Sequence, residues 1–166
     1  GPAQLLDVVG IDTAYHCTDV LADGFPERMA KINNDAVEIL FKANKYGQKN
    51  GKGFYVHSID KKGKPVKTVD ESIFELIGKP NCELDKEEII ERMMLPMIFE
   101  VARCLEENII DTAAECDMAL IYGLGFPPFR GGALKYADEL GIQNIVDSAE
   151  KYAHLGKGYE VPVSFT

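Results

Sequence analysis

The stretch IYGLGFPPFRGGA, from Ile121 to Ala133, decides how the chain is read. Gly123 and Gly125 alternate, two prolines stand between Phe126 and Phe129, and Gly131–Gly132 form a pair, so freedom and rigidity of the backbone are demanded by turns. No regular helix or strand absorbs that pattern, and the stretch is a shaped loop. It predicts a helix that ends at Gly123 with Tyr122 on its last turn, and a new helix that opens after Gly132. Such a loop either packs two helices tightly or positions a side chain for a ligand. Glycine–proline punctuation is more often architectural.

Helices are expected on both sides of the loop. Thr112 with Glu115 makes a capping-box pattern for the helix that leads into it, and helices near Ala133–Leu140 and Gln143–His154, parted by Gly141, follow it. Further upstream, Asp85 with Glu88 opens the longest helix, on which Ile90, Met94, Met97, Val101 and Leu105 recur at helical spacing and Pro96 predicts a kink. The methionines there suit either a soft acyl-binding surface or, more commonly, core. Toward the N-terminus, Ala3–Val9 reads as a short helix stopped by Gly10. Asp12 or Thr13 then caps a helix running to Asp23, and Asn34 caps one that continues to Lys45. Phe54-Tyr55-Val56 is β-prone, Lys61–Lys64 with Gly63 makes a hairpin tip, and Pro65–Val69 a second strand. Asp70 caps a short helix to Ile77, and Gly78–Leu84 reads as a linker.

Composition bounds the function. A chain of 166 residues, 46% hydrophobic, buries a genuine core as one domain or two small lobes. A net charge of −9 argues against a nucleic-acid partner and against adsorption to an anionic membrane. Basic residues nevertheless gather from Lys42 to Lys67, a pattern that suits a phosphate-bearing small molecule or, more often, a solvated lysine-rich loop. Cys17, Cys82, Cys104 and Cys116 have no CxxC and no paired spacing with a histidine, so neither a metal site nor a disulfide framework is suggested, and a reducing, cytoplasmic home fits. No apolar run is long enough to span a bilayer, and no signal peptide opens the chain.

The segment GQKNGKGFYVH, from Gly47 to His57, is not a Walker loop, because Lys52-Gly53 leads into a strand and not into a helix. It is read as a turn, with phosphate cradling as the less favoured alternative. His16, His57 and His154 are read as structural or solvated. Sliding the chain on itself by 131 positions sets Gly1 on Gly132, Asp7 on Asp138, Gly10 on Gly141 and Ile11 on Ile142, with Leu5 on Tyr136 and Val9 on Leu140. The matches fall on the punctuation of two consecutive helices, which suggests an internal duplication whose first copy is cut.

GPAQLLDVVGIDTA, GQKNGKGFY, EEIIERMMLPM, EVARCLEE and YGLGFPPFRGGA together resemble the C-terminal part of the alpha subunit of the bacterial fatty acid β-oxidation multienzyme complex. The resemblance implies a mainly α fold of helical repeats, like the C-terminal domain of 6-phosphogluconate dehydrogenase, with a small β-hairpin between them. Residues 1–78 would be a partial first repeat of the 3-hydroxyacyl-CoA dehydrogenase C-terminal domain plus the hairpin, and residues 85–160 the second. In that family, NAD-dependent oxidation of (3S)-3-hydroxyacyl-CoA uses a His–Glu pair and a Rossmann domain. Neither is found here, so the chain alone is expected to bind no NAD and to be inactive. The family's catalytic Asn lies in the absent part of the first repeat; Glu91-Arg92-Met93 stands at the corresponding place of the second. The residue that carries over is Tyr122, matching the family's substrate-contacting tyrosine. The acyl-CoA substrate and the thiolase beta subunit are the partners implied for the parent, and self-association is expected of the chain itself, through the apolar side of Ile90, Met94, Met97 and Val101 that the first copy's missing long helix would have covered. Two other readings stay open: a non-catalytic assembly module, and another helical substrate domain of the hydroxyacid or phosphogluconate dehydrogenase type.

Overall fold

The computed structural model describes residues 1–78 and 83–166; Cys82 and the middle of the expected linker lie outside the described residues. Among the described residues the chain is mainly α-helical with one two-stranded antiparallel sheet, and it divides into two compact units, residues 1–83 and 84–166.

The first unit begins with α1 (Pro2–Val9) and α2 (Ile11–Gly24), joined by Gly10 alone at φ 107°. Proline at the first position of α1 is preorganised for a helix start. Helix α2 starts at Ile11, one residue before the expected caps, because the sharp joint at Gly10 itself turns the chain into it. Helix α3 (Ala36–Lys42) is capped by Asp35, whose carboxylate accepts the Glu38 N–H at 2.8 Å, while Asn34 sits outside at φ 59°. The cap thus lies one residue beyond the expected Asn34. Strands β1 (Tyr55–Ile59) and β2 (Pro65–Val69) follow in the expected places, with His57 opposite Lys67. Asp60 closes the hairpin by accepting the N–H groups of Lys62 and Lys64, both at 2.8 Å. Helix α4 (Ile73–Ile77) completes a small core in which Ile11, Leu40 and Ile73 are buried and Leu6, Phe41 and Phe54 pack around them.

The second unit is built on α5 (Lys86–Glu106), against which α6 (Ala113–Leu124), α7 (Ala133–Leu140) and α8 (Ile142–Tyr152) pack. Asp85 caps α5 through the Glu88 N–H at 2.7 Å. The fully buried stripe is Leu95, Ile98, Phe99 and Ala102, with Met94, Met97 and Val101 only half-buried beside it. The stripe is therefore rotated by about one residue from the expected face. Between Met93 and Ala102 only Glu100 is charged, so periodicity fits several registers and packing selects one.

Pro96 lies inside α5 and cannot donate to the carbonyl of Arg92, four residues earlier. That freed carbonyl accepts the Tyr159 hydroxyl at 2.9 Å, so the C-terminal tail repairs the bond that proline removes. Tyr159, Val161 and Phe165 of the same tail pack on the core, with Phe165 edge-on to Phe99. The tail therefore helps cover the methionine side of α5 that the sequence left open.

Candidate functional site

Tyr122 lies on α6, but that helix does not stop at Gly123. It runs through Gly123 to Leu124 and is ended by Gly125, the residue that takes the left-handed conformation at φ 71°, ψ 31°. The Phe126 N–H then reaches back to the Leu120 carbonyl at 3.1 Å, and the Phe126 ring drops into the core. A single 3-10 turn, Pro128–Arg130, leads to Gly131 and Gly132, both at positive φ. Glycine is required at 132 on a second ground, since a Cβ there would lie 2.2 Å from the Asp117 Cβ.

Asp117 explains that close approach. It is buried on α6, and its two carboxylate oxygens accept the N–H groups of Leu134 at 2.8 Å and Lys135 at 3.1 Å. The first turn of α7, which has no side-chain cap of its own, is capped from another helix. The loop is thus held from below at Phe126 and Asp117. Above, it displays large side chains: Tyr122 is 80% exposed, Phe129 82% and Leu124 71%. The Arg130 guanidinium lies 5.0 Å from the Tyr136 ring centre and 5.4 Å from that of Phe129. Within this chain Tyr122 is not buried against a loop carbonyl.

The glycines of this loop do not fit a dinucleotide. A pyrophosphate binds where N–H groups open a helix, whereas Gly123–Gly125 sit at the carbonyl end of α6, where the helix dipole is negative. Among the described residues no group of three His, Cys, Asp or Glu side chains is arranged to hold a metal ion.

A groove of about 340 Å³ lies between α5, α7 and α8, with Ile90, Met94, Leu140 and Ile145 in its walls. Tyr122 does not line it. Glu91 does. Its carboxylate is already engaged, accepting the Tyr152 hydroxyl at 2.6 Å and the Ser148 hydroxyl at 3.2 Å, with the Lys151 ammonium 3.8 Å away. The hydrogen bond to Glu91 pushes the Tyr152 phenol up to about 12. This polar set ties α5 to α8.

The first unit holds a buried carboxylate that the sequence did not single out. Asp7 is fully buried, and it accepts the N–H groups of Phe54 at 2.8 Å and Tyr55 at 2.9 Å, while His57 Nε2 lies 2.7 Å from its second oxygen. Gly53 and Gly47 are needed for the approach, because a Cβ on either would stand within 2.3 Å of Asp7 atoms. The GQKNGKGFY segment is therefore wrapped round Asp7. Its Phe54 and Tyr55 amides are spent on that side chain, the Gln48 amide on the Asp7 carbonyl and those of Gly47, Gly53 and His57 on carbonyls of the segment itself, which favours the turn over the phosphate-cradle alternative. His57 is paired, not solvated, and only its distance of fifty residues from Asp7 hid the pair from sequence reading. His16 packs at the edge of Tyr15 and Phe41, and His154 lies in a 3-10 turn after α8.

Comparison with known proteins agrees on one family. Residues 1–57 match the model of the 3-hydroxyacyl-CoA dehydrogenase C-terminal domain. The fatty acid oxidation complex subunit alpha of Idiomarina loihiensis is 57% identical over 162 residues, and that of Colwellia psychrerythraea 56% over 165. Each alignment covers 97% of this chain but 23% of the relative, so the chain spans about a quarter of their length. The crystal structure of the dehydrogenase part of multifunctional enzyme 1 from C. elegans superimposes with a TM-score of 0.62 over 99% of this chain and 37% of that one. At 19% identity that likeness concerns the fold alone.

Proposed function

Since the chain belongs to the family of fatty acid oxidation complex alpha subunits with a 3-hydroxyacyl-CoA dehydrogenase C-terminal domain, we propose that it supplies the helical, substrate-side platform of that enzyme. The parent oxidises (3S)-3-hydroxyacyl-CoA with NAD, works in the cytoplasm beside enoyl-CoA hydratase and isomerase activities, and assembles with a thiolase beta subunit. NAD, when bound by the parent, would supply the hydride acceptor. The residues here bind and orient. Tyr122 contacts the substrate, and the observation that supports this role is a large, amphipathic side chain held out to solvent by a loop anchored at Phe126 and Asp117. A tyrosine in a core would be spent on packing; this one is free to offer a hydroxyl.

The two units are read as copies of one repeat. Helices α1 and α7 are each eight residues long, and each ends at a single glycine, Gly10 and Gly141, with nearly the same ψ of 127° and 129°. Each of these glycines donates its N–H to the residue four before it, Leu6 or Ala137. The copies differ in what covers them. In the second unit α7 and α8 lie on α5, whereas among the described residues the first unit offers no such long helix to α1 and α2.

The test is Tyr122→Phe in the full-length alpha subunit. Loss of one hydroxyl contact should weaken kcat/KM for 3-hydroxyacyl-CoA by about 0.5–1.5 kcal/mol with stability unchanged. Kinetics equal to the parent's would leave the second reading, in which the exposed loop serves only assembly; Phe129→Ala would then weaken association with the thiolase subunit without changing dehydrogenase kinetics.

A further inference from the structure

The hairpin carries a feature that neither the family match nor the Tyr122 site accounts for. Residues 42–67 contain eight lysines against a single acidic residue, Asp60, in a chain of net charge −9. Three of the lysines are neutralised: Lys42 by Glu38, Lys45 by Asp70 and Lys49 by Asp12. Among the described residues Lys52, Lys61, Lys62, Lys64 and Lys67 have no carboxylate partner. Four of these five belong to the hairpin itself.

An open groove of about 640 Å³ lies on this hairpin, and it is lined by both cationic and apolar groups. Lys67 and His57 face each other across the strands and share it with Gln4 and Gln48. Ile59, 74% exposed, and Val66 supply an apolar border. Lys67 is positioned: its ammonium bonds the Gln4 side-chain oxygen and lies 4.8 Å from the centre of the Tyr55 ring. Those two contacts leave the third ammonium hydrogen free for a ligand. His57 has one ring nitrogen against the fully buried Asp7, so its ring is fixed. A solvated lysine loop explains the tip residues, but it does not explain a lysine held by a glutamine and an aromatic ring beside a buried Asp–His pair.

We propose that this groove binds the phosphate group of a phosphate ester carrying an apolar chain, with Lys67 as the principal cation and Ile59 and Val66 against the chain. The side-chain amides of Gln4 and Gln48 complete the polar shell, and Lys61, Lys62 and Lys64 raise the local potential that draws the anion in. Binding transfers no group and needs no cofactor. The same chemistry is offered by a soluble phosphate ester and by the headgroup of an anionic phospholipid.

The probes are hexyl phosphate and inorganic phosphate, titrated calorimetrically into the whole chain at low salt, together with phosphatidylglycerol and phosphatidylcholine vesicles in co-sedimentation. The site predicts saturable one-to-one binding of hexyl phosphate, tighter than inorganic phosphate by about ten-fold. Lys67→Gln should weaken it by about ten-fold and Lys62→Gln by less than about two-fold. Amide spectra of both variants report that the fold is intact, and the His57 ring signals should move on titration. Retention on phosphatidylglycerol but not phosphatidylcholine vesicles, lost in Lys67→Gln, assigns the lipid source; binding of hexyl phosphate without retention assigns the soluble one. If neither probe binds, or if Lys62→Gln and Lys67→Gln weaken binding equally, the hairpin is only a charged surface and the site does not exist.

Discussion

At the scale of single residues both units use one device: a buried aspartate grips backbone amides, and a glycine makes room for it. Asp7 with Gly53 and Asp117 with Gly132 are the two instances. Each carboxylate stands in for a missing cap or strand partner, so removing it strands two buried donors. Asp117→Ala should lower stability by about 1–3 kcal/mol in urea unfolding. Gly132→Ala should lower it at least as much, because the residue has φ 116° and no space for a methyl group. A second residue-scale prediction concerns acid. Lys45, 2.5 Å away, holds the Asp70 carboxyl below its ordinary range. A depressed folded value means that the pair's contribution is complete above the ordinary aspartate pKa of about 4 and is lost as pH falls through the depressed value. Asp70→Asn should therefore be less stable than the parent chain at neutral pH, with the gap closing below pH of about 4 in denaturation midpoints.

At the scale of elements, sequence punctuation located nearly every helix and both strands, because glycine, proline and capping side chains act locally. It failed by one or two residues where two candidates compete. Asn34 and Asp35 both cap helices well, and Gly123 and Gly125 both end them. The structure chooses Asp35 and Gly125. The choice at the second pair can be tested directly. Gly123→Ala, in a helical conformation with nothing within 4 Å of the new Cβ, should stabilise the chain by about 0.5–1 kcal/mol. Gly125→Ala, at φ 71°, should destabilise it by about 1–2 kcal/mol. The reverse order in thermal unfolding would mean that the helix ends at Gly123. The candidate site was legible only in part. Tyr122 is marked by its motif, but Asp7–His57 and Glu91–Tyr152 join residues fifty and sixty-one positions apart, and no local pattern carries such a distance.

At the scale of the whole molecule, the question is which apolar surface lacks a cover. The sequence pointed to the side of α5 that carries Ile90, Met94, Met97 and Val101; Met94, Met97 and Val101 pack against the core beside the C-terminal tail, while Ile90 stays 41% exposed. A further uncovered apolar surface lies on α1 and α2. Leu5, 63% exposed, with Val9 and Leu21, stands at positions whose partners under the 131-residue shift are Tyr136, Leu140 and Tyr152. Those partners belong to the α7–α8 pair, which in the second unit lies on α5, with Tyr152 buried. Reburying one such leucine or valine is worth about 1.5–3 kcal/mol, so three together favour association over exposure. The chain by itself should therefore form dimers or larger assemblies at tens of micromolar in sedimentation. Leu5→Glu with Leu21→Glu should return it to monomer without loss of helicity, since both side chains already face solvent. A monomeric parent chain, or an assembly untouched by these two changes, would show that the face is not the one that associates.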